Sequence, residues 1–301
     1  DGEAATVEDF VRAMEDGGGV DLAQFRRWYS DAGTPQLVVT ESFDDRRGAW
    51  AADIRQTIAP TPGQNEKPPR LVPLRYALYG KRTGALLREG MFVVDSEENR
   101  LTIDGLKEPP IASLLAGFSA PVALSRRLSL DDRLFLAAHD ADLFNRWAQC
   151  EGLWRDLCLA VSGAGGIESP DAALERFAAA LGASLENPAD RALAAELLRC
   201  RSEADLARAA EIVDPAALAA ARRDVRARIG AALCEPLIAA YRALCSNRAF
   251  EPSAAQAGER ALRNAALSLL VAAGRSDLAL DQAKTAANMT DEAAATSALA
   301  Q

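Results

Sequence analysis

The sequence predicts a multidomain protein with α and β parts, an antiparallel β-sandwich followed by an irregular α-solenoid. Two observations carry this prediction. Residues 36–129 hold short strand-like runs separated by turn residues, with no helical pattern between them. Residues 130–301 hold many short helical patterns, each apolar on one face. A helical stretch precedes both, so the predicted domains are residues 1–34, 35–129 and 130–301.

The N-terminal stretch, residues 1–32, is predicted to form two short helices separated by Gly17-Gly18-Gly19. Their apolar faces comprise Phe10, Val11 and Met14 in the first helix and Phe25, Trp28 and Tyr29 in the second. Asp21 is predicted to cap the second helix, with Gln24 three residues later, and Gly33-Thr34-Pro35 to end it.

Strand-like runs follow, and prolines mark the loops between them. The predicted strands are Leu37–Val39, Trp50–Ile58, Leu71–Tyr79, Met91–Val94, Leu101–Ile103 and Val122–Leu124. Some of their spacings are close to the roughly 8 to 12 residues typical of an antiparallel sandwich, so we expect about six to eight strands. Residues 60–69 are predicted to form a long loop, and Pro109-Pro110 to close an edge strand.

The helical region opens with an apolar stripe of about five turns. The stripe consists of Leu143, Phe144, Trp147, Cys150, Trp154, Leu157 and Val161. Shorter stripes predict helices around residues 174–181, 206–213, 218–229, 237–245 and 262–269, and the last helix around 291–299. Loops are predicted at Gly163–Ser169, at Glu186-Asn187-Pro188 and at Asp214-Pro215. The stripes follow no strict repeat period, which indicates irregularly stacked helix pairs of the HEAT or armadillo kind.

The charge of the chain argues against nucleic-acid and membrane partners. The net charge of −9 and the pI near 4.9 create a negative field that repels phosphate groups and anionic lipids. The basic cluster of Arg222, Arg223, Arg226 and Arg228 surrounds Asp224 and is predicted to be a solvated helix face. No apolar run reaches the ~18 residues of a membrane span.

The cysteines indicate a reducing compartment. The five cysteines are Cys150, Cys158, Cys200, Cys234 and Cys245; their number is odd and no C-x-x-C occurs. We expect buried free thiols, as in a cytoplasmic protein. The N-terminus lacks the layout of a signal peptide, which favours the same location.

A single histidine, His139, limits the chemistry that the chain can perform. One imidazole excludes H-E-x-x-H and any three-histidine zinc site, and no paired cysteines complete a metal site. His139 lies between two predicted helices and is interpreted as a surface residue at a helix end. The sequence therefore predicts no catalytic, cofactor-binding or metal-binding residue.

Three further features have a structural interpretation. The acidic pairs Asp44-Asp45, Glu97-Glu98 and Asp131-Asp132 are predicted to be solvated, the last at a helix N-terminus. Gly163–Gly166 lacks the strand and the Gly-Lys-Ser/Thr of a phosphate loop and is predicted to be a flexible connection. Trp147 and Trp154 lie within the apolar stripe, so core packing explains them better than a ligand site.

Several stretches resemble one known family. They are Asp9–Asp16, Phe25–Ser30 and Gly33–Pro35, then Thr61–Gln64, Glu66–Pro68, Pro73 and Phe118–Val122, and finally Glu259–Ala265 and Ala287–Asp291. In this order they resemble the aminopeptidase N family of bacterial zinc gluzincins. The resemblance implies that residues 1–34 are the last helices of a thermolysin-like catalytic domain, residues 35–129 the family's sandwich, and residues 130–301 the start of the helical domain that walls the active-site chamber.

Members of that family remove N-terminal amino acids from peptides. They use one zinc, held by H-E-x-x-H and a later glutamate, and a G-A-M-E-N segment that binds the substrate amine; none of these motifs occurs here. The resemblance thus implies the middle portion of a metalloprotease, inactive and zinc-free by itself, whose partner is the remainder of its own polypeptide. Zinc and the peptide substrates belong to the parent enzyme. The start at Asp1 and the uncapped end at Gln301 agree with an internal segment.

A function of a different class stays open at this point. A sandwich joined to helical repeats is also the architecture of a stand-alone module that binds proteins or peptides on the concave face of its repeats. The gene sequence upstream of Asp1 distinguishes the two functions. An in-frame segment that encodes H-E-x-x-H would indicate a part of the enzyme, and a start codon there would indicate the stand-alone module.

Overall fold

The computed structural model describes residue 2 and residues 4–186, 190–245 and 249–300. Between Leu128 and Ser129 the chain divides into two compact units, which we describe separately. The termini Asp1 and Gln301, and the Asn187-Pro188 part of one predicted loop, lie outside the described residues.

Two helices open the first unit. They are α1, Val7–Gly18, and a single turn, α2, Arg27–Ser30. The Thr6 hydroxyl accepts the backbone N–H of Asp9 at 3.1 Å, and the Asp9 carboxylate accepts the N–H of Thr6 at 2.9 Å. This reciprocal cap satisfies two N–H groups that have no partner inside the helix. Gly19 ends α1 with φ 61°, a conformation that costs glycine little.

The structure corrects two details of this stretch. Of the predicted apolar face of α1, Val11 is buried, whereas Phe10 and Met14 are more than half exposed. The predicted cap of the second helix is wrong, because Asp21 accepts the N–H of Ala23 in a turn that precedes α2. No side chain caps α2 itself.

Seven strands in two sheets make up the rest of the described first unit. They are β1 Gln36–Asp44, β2 Ala49–Thr57, β3 Val72–Gly80, β4 Leu86–Val94, β5 Glu98–Ile103, β6 Pro110–Leu114 and β7 Ala123–Arg126. One sheet has the order β5-β2-β1-β7 and the other β4-β3-β6. The predicted β-sandwich is confirmed.

Two strand pairings differ from the prediction. β1 and β7 are parallel, with Gln36 opposite Ala123, while the other strand pairs are antiparallel. β6 lies at the sheet edge beside β3 and begins at Pro110, where the sequence predicts the end of a strand. Residues 111–114 are all buried, so β6 lacks the alternation that reveals a strand in a sequence.

The core of the sandwich lies between its two sheets. Its largest fully buried side chains include Trp50, Leu37, Ile54, Leu74 and Leu78. In β2 the residues 50–52 are all buried, which breaks the period of two expected for a strand with one solvated face. β2 is a central strand between β1 and β5.

The described part of the second unit consists of helices and the loops that connect them. Its helices are α3 Leu130–His139, α4 Leu143–Ser162, α5 Pro170–Leu185, α6 Arg191–Leu197, α7 Glu203–Ala209, α8 Pro215–Ala232, α9 Cys234–Ala243, α10 Ala254–Ala272, α11 Ser276–Thr285 and α12 Met289–Leu299. Most begin at a polar side chain that accepts a backbone N–H, namely Ser129, Asp142, Asp190, Ser202, Asp214, Ser253 and Asn288. The predicted helical-repeat region is confirmed.

The sequence misses or misplaces three of these helices. No stripe predicts α6 or α11, which have 7 and 10 residues. α7 ends at Ala209, and Ile212 and Val213 are exposed, because Asp214 and Pro215 start the next helix. α10 packs against α6, α8, α9, α11 and α12 and is the centre of this unit.

Close contact between α8 and α10 depends on Gly230. A Cβ atom at this position would lie 2.3 Å from the Leu269 carbonyl oxygen. Only a residue without a side chain therefore lets the two helix backbones approach this closely.

Candidate functional site

His139 lies where the sequence predicts it, at the end of a helix. It is the last residue of α3 and is exposed, and its ring lies 5.1 Å from the ring of Phe135. The acidic pairs Asp44-Asp45 and Glu97-Glu98 are exposed. Asp131-Asp132 occupies the first turn of α3, where negative charge interacts favourably with the positive end of the helix dipole.

The tryptophans of α4 belong to the core, as predicted. Trp154 is fully buried, donates its indole N–H to the Leu197 carbonyl at 2.9 Å and packs edge-on against Phe177 at 5.4 Å. Trp147 packs against the same core and lies 5.4 Å from the Phe144 ring.

The glycine loop after α4 packs against the backbone of that helix. Gly163 caps α4 with φ 79°. Gly166 has φ 100°, and a Cβ atom there would lie 2.2 Å from the Asp156 carbonyl oxygen. The loop thus packs directly on the backbone of α4, which explains its glycines without a phosphate ligand.

Arg70 connects two of the stretches that carry the family resemblance. Its guanidinium donates to the carbonyl oxygens of Asp31, Ala32 and Gly33. It also lies over the Trp28 ring, 5.0 Å from the ring centroid. The side chain is buried, so these contacts hold the segment that enters β1.

The predicted loop of residues 60–69 contributes the rest of this junction. Lys67 donates to the Ala32 carbonyl and to the Thr61 hydroxyl, both at 2.6 Å. Gln64 donates to the Ser30 carbonyl at 3.0 Å and accepts the N–H of Ala32 at 2.8 Å. The motif residues of this region thus join the N-terminal stretch to the sandwich.

The helical stretches of the resemblance meet at Asp291. This buried carboxylate accepts from Arg263 at 3.3 Å, from Asn264 at 2.9 Å and from Asn288 at 2.9 Å. Gln282 donates to the Asn264 side chain and to the Asp291 carbonyl. One polar network therefore ties α10, α11 and α12 together.

The donor set for a metal is incomplete in the described part of the chain. No group of three or more histidine, cysteine, aspartate or glutamate side chains comes together there. Catalytic zinc in proteins needs three such ligands and an open position. The described residues therefore do not fit the zinc that the resemblance implies for the family.

A cavity of about 590 Å³ lies between the α6–α7 connection, α8, α10 and α12. Four arginines line it, Arg199, Arg222, Arg226 and Arg260, and no acidic residue is among its described lining residues. The cavity is therefore a basic concave surface on an acidic chain.

The prediction of a solvated arginine face on α8 is wrong for Arg226. This side chain is only 5% exposed and donates to the Ser268 carbonyl at 3.2 Å and hydroxyl at 2.7 Å. Burial and the neighbouring Arg222 lower the pKa of Arg226. Arg222 donates to the Arg201 carbonyl at 2.7 Å, and no carboxylate of the described residues forms an ion pair with Arg222 or Arg226.

Cys200 lines this cavity and touches Cys158 of α4. The two sulfur atoms are 3.7 Å apart, and both thiols are free. The prediction of buried thiols holds for Cys150 and Cys158, whereas Cys200 and Cys234 are half-buried and Cys245 is exposed. Sequence spacing could not reveal the pair, because 42 residues separate its members.

Two domain families match consecutive parts of the chain. Residues 33–127 match "Domain of unknown function (DUF3458) Ig-like fold", and residues 130–301 match "Domain of unknown function (DUF3458_C) ARM repeats". The second match alone covers more than half of the chain. The chain belongs to the DUF3458 family. Its sandwich and its helical repeats are the two domains that these descriptions name.

Curated relatives of this DUF3458 chain are aminopeptidases. Aminopeptidase N of Caulobacter vibrioides is 40% identical over 274 residues, which cover 90% of this chain and 31% of that protein. Aminopeptidase N of Escherichia coli is 34% identical over 313 residues, which cover 99% of this chain and 35% of that protein. The resemblance to the aminopeptidase N family is confirmed. The chain spans about a third of the length of these relatives.

A solved structure extends this similarity to three dimensions. The DUF3458 chain matches the crystal structure of Legionella pneumophila aminopeptidase A in complex with aspartic acid with a TM-score of 0.83 and 27% identity. The match covers 100% of this chain and 35% of that one.

Each helix of the described residues is too short or too polar to cross a membrane.

Proposed function

We propose that the chain is a non-catalytic middle portion of a zinc-dependent aminopeptidase that removes N-terminal amino acids from peptides. In this proposal the sandwich and the helical repeats act as the scaffold and chamber wall of the active site. The observation that carries it is the match to aminopeptidase N over 90% and 99% of the chain but only 31% and 35% of the relatives.

The contacts of the motif residues support a scaffolding role. The motif residue Lys67 fastens the N-terminal stretch to the sandwich, the motif residue Gly33 accepts a hydrogen bond from Arg70, and the motif residue Asp291 joins three helices. Motif residues therefore form hydrogen bonds that hold elements together. In the same proposal residues 1–34 belong to the end of the catalytic domain, residues 35–129 are the sandwich, and residues 130–301 begin the helical domain.

The proposed partner of the chain is the remainder of its own polypeptide, with peptides as substrates of the whole enzyme. Neither nucleic acid nor a membrane is a proposed partner, because the net charge is −9. The cytoplasm is the proposed location, since five free cysteines suit a reducing compartment.

The coding sequence upstream of Asp1 tests this proposal. We expect an in-frame segment that encodes G-A-M-E-N and H-E-x-x-H, and a complete protein that binds one zinc and hydrolyses aminoacyl-nitroanilides. A start codon immediately before Asp1 would contradict the proposal. That result would favour the stand-alone interaction module instead.

A further inference from the structure

Two cysteines link the core of the helical unit to the arginine-lined cavity. Cys158 lies on α4 and is 0% exposed, while Cys200 lies in the α6–α7 connection and lines the cavity. Their sulfur atoms face each other at 3.7 Å. A disulfide bond is about 2.05 Å long, so the two sulfur atoms are in contact and must move closer together to form a bond.

The surroundings of the two sulfurs are unequal. The hydrogen-bonding contact with the Cys158 sulfur, and then the charges of Arg222 and Arg226, lower the pKa of Cys200. The same hydrogen bond and burial raise the pKa of Cys158. Cys200 is therefore the more acidic thiol of the pair.

We propose that Cys200 and Cys158 form an oxidation site in which a hydroperoxide that enters the arginine-lined cavity converts the pair to a disulfide. Cys200 is the attacking sulfur, because it faces the cavity and the cationic side chains. Cys158 is the resolving sulfur, because it is in contact with Cys200 and closed off from solvent.

The chemistry balances in two steps. The Cys200 thiolate attacks the terminal oxygen of the hydroperoxide; the O–O bond breaks, the sulfenic acid forms, and the leaving alkoxide takes a proton to become an alcohol. The Cys158 sulfur then attacks the sulfenic sulfur; the S–S bond forms, the S–O bond breaks, and hydroxide leaves with the Cys158 proton as water. A dithiol reductant reverses the oxidation by thiol–disulfide exchange.

The other cysteines lack this combination of features. Burial raises the pKa of Cys150 to about 12, which suppresses its thiolate. Cys245 is exposed, and neither Cys234 nor Cys245 lines this cavity. The proposal therefore predicts selective oxidation within a set of five thiols.

Peptide mapping of the unaltered protein tests the proposal directly. The protein is treated at neutral pH with a small excess of hydrogen peroxide, denatured, alkylated and digested. We expect one cross-linked peptide that joins Cys158 to Cys200, lighter by two hydrogens and lost on treatment with dithiothreitol, while the other cysteines stay alkylated. Oxidation of exposed Cys245 before Cys200, or Cys200 sulfinic acid without the cross-link, would overturn the proposal.

Substitutions assign the two roles. In Cys158→Ser, dimedone should trap a sulfenic acid at Cys200; in Cys200→Ser, Cys158 should stay reduced at the same peroxide dose. Arg222→Met should slow the oxidation severalfold while leaving the cross-linked product the same. Cys245→Ser is the matched control and should leave the cross-link unchanged. Equal oxidation of Cys158 with and without Cys200 would show that the roles are wrong.

Discussion

At the scale of single residues, partners far away in the sequence decide which charges are buried. The arginine cluster of residues 222–228 has the composition of a solvated helix face, and the exposed Arg223 and Asp224 fit that interpretation. Arg226 does not, because Ser268 on α10 supplies its hydrogen-bond partners. A sequence shows the charge of a residue but not the helix that will cover it.

The network around Asp291 supports the first prediction. Asp291→Ala removes the acceptor of Arg263 and leaves a nearly buried guanidinium without its ion pair. We expect a loss of about 3 to 5 kcal/mol in the free energy of unfolding, measured by urea denaturation. The control is Asp277→Ala, whose ion pair with Arg275 is exposed and screened by solvent, so its loss should cost much less than that of Asp291. Equal losses in both variants would contradict the prediction.

The second prediction concerns the pH dependence of α1. Hydrogen bonds from Arg26, and then from the N–H of Leu22, lower the pKa of Glu15 from 4.5 to about 2. A carboxyl group whose pKa is lowered on folding stabilises the folded protein at pH values above its ordinary pKa. This stabilisation is lost as the pH falls from about 4.5 toward 2. An NMR titration should show Glu15 titrating near pH 2, and at a clearly higher pH in Arg26→Met, where only the Leu22 N–H still lowers the pKa. Titration near pH 4.5 in both proteins would rule out the interaction.

At the scale of elements, periodicity predicts most strands and helices but fails where burial is two-sided or the element is short. β6 is buried on both faces and therefore shows no alternation. The parallel pairing of β1 with β7 joins residues far apart in the chain, which local patterns do not encode. α6 has 7 residues and too few turns to display a stripe.

The third prediction tests the packing of α8 on α10. Gly230→Ala places a methyl group 2.3 Å from a backbone oxygen, so the helices must separate. We expect a loss of about 1 to 3 kcal/mol in the free energy of unfolding. Gly258→Ala is the matched control on α10, where the nearest atom to the new methyl would be 3.4 Å away, and its stability should be unchanged or slightly higher. The reverse order of stabilities would refute this account of the contact.

At the scale of the whole molecule, the fold class and the family resemblance could be predicted from the sequence. The motif stretches that carry the resemblance occur in both compact units, and in each unit they form contacts between elements. The arginine-lined cavity could not be predicted, because its lining comes from four separate segments of the chain. We propose that these two units support an active site without contributing its metal ligands.

Metal analysis of the purified 301-residue chain tests this claim most directly. After incubation with zinc and gel filtration, we expect far less than one zinc per chain and no release of nitroaniline from alanyl-nitroanilide, because one histidine cannot supply the three ligands of a catalytic site. One tightly bound zinc per chain, together with chelator-sensitive hydrolysis, would contradict the account.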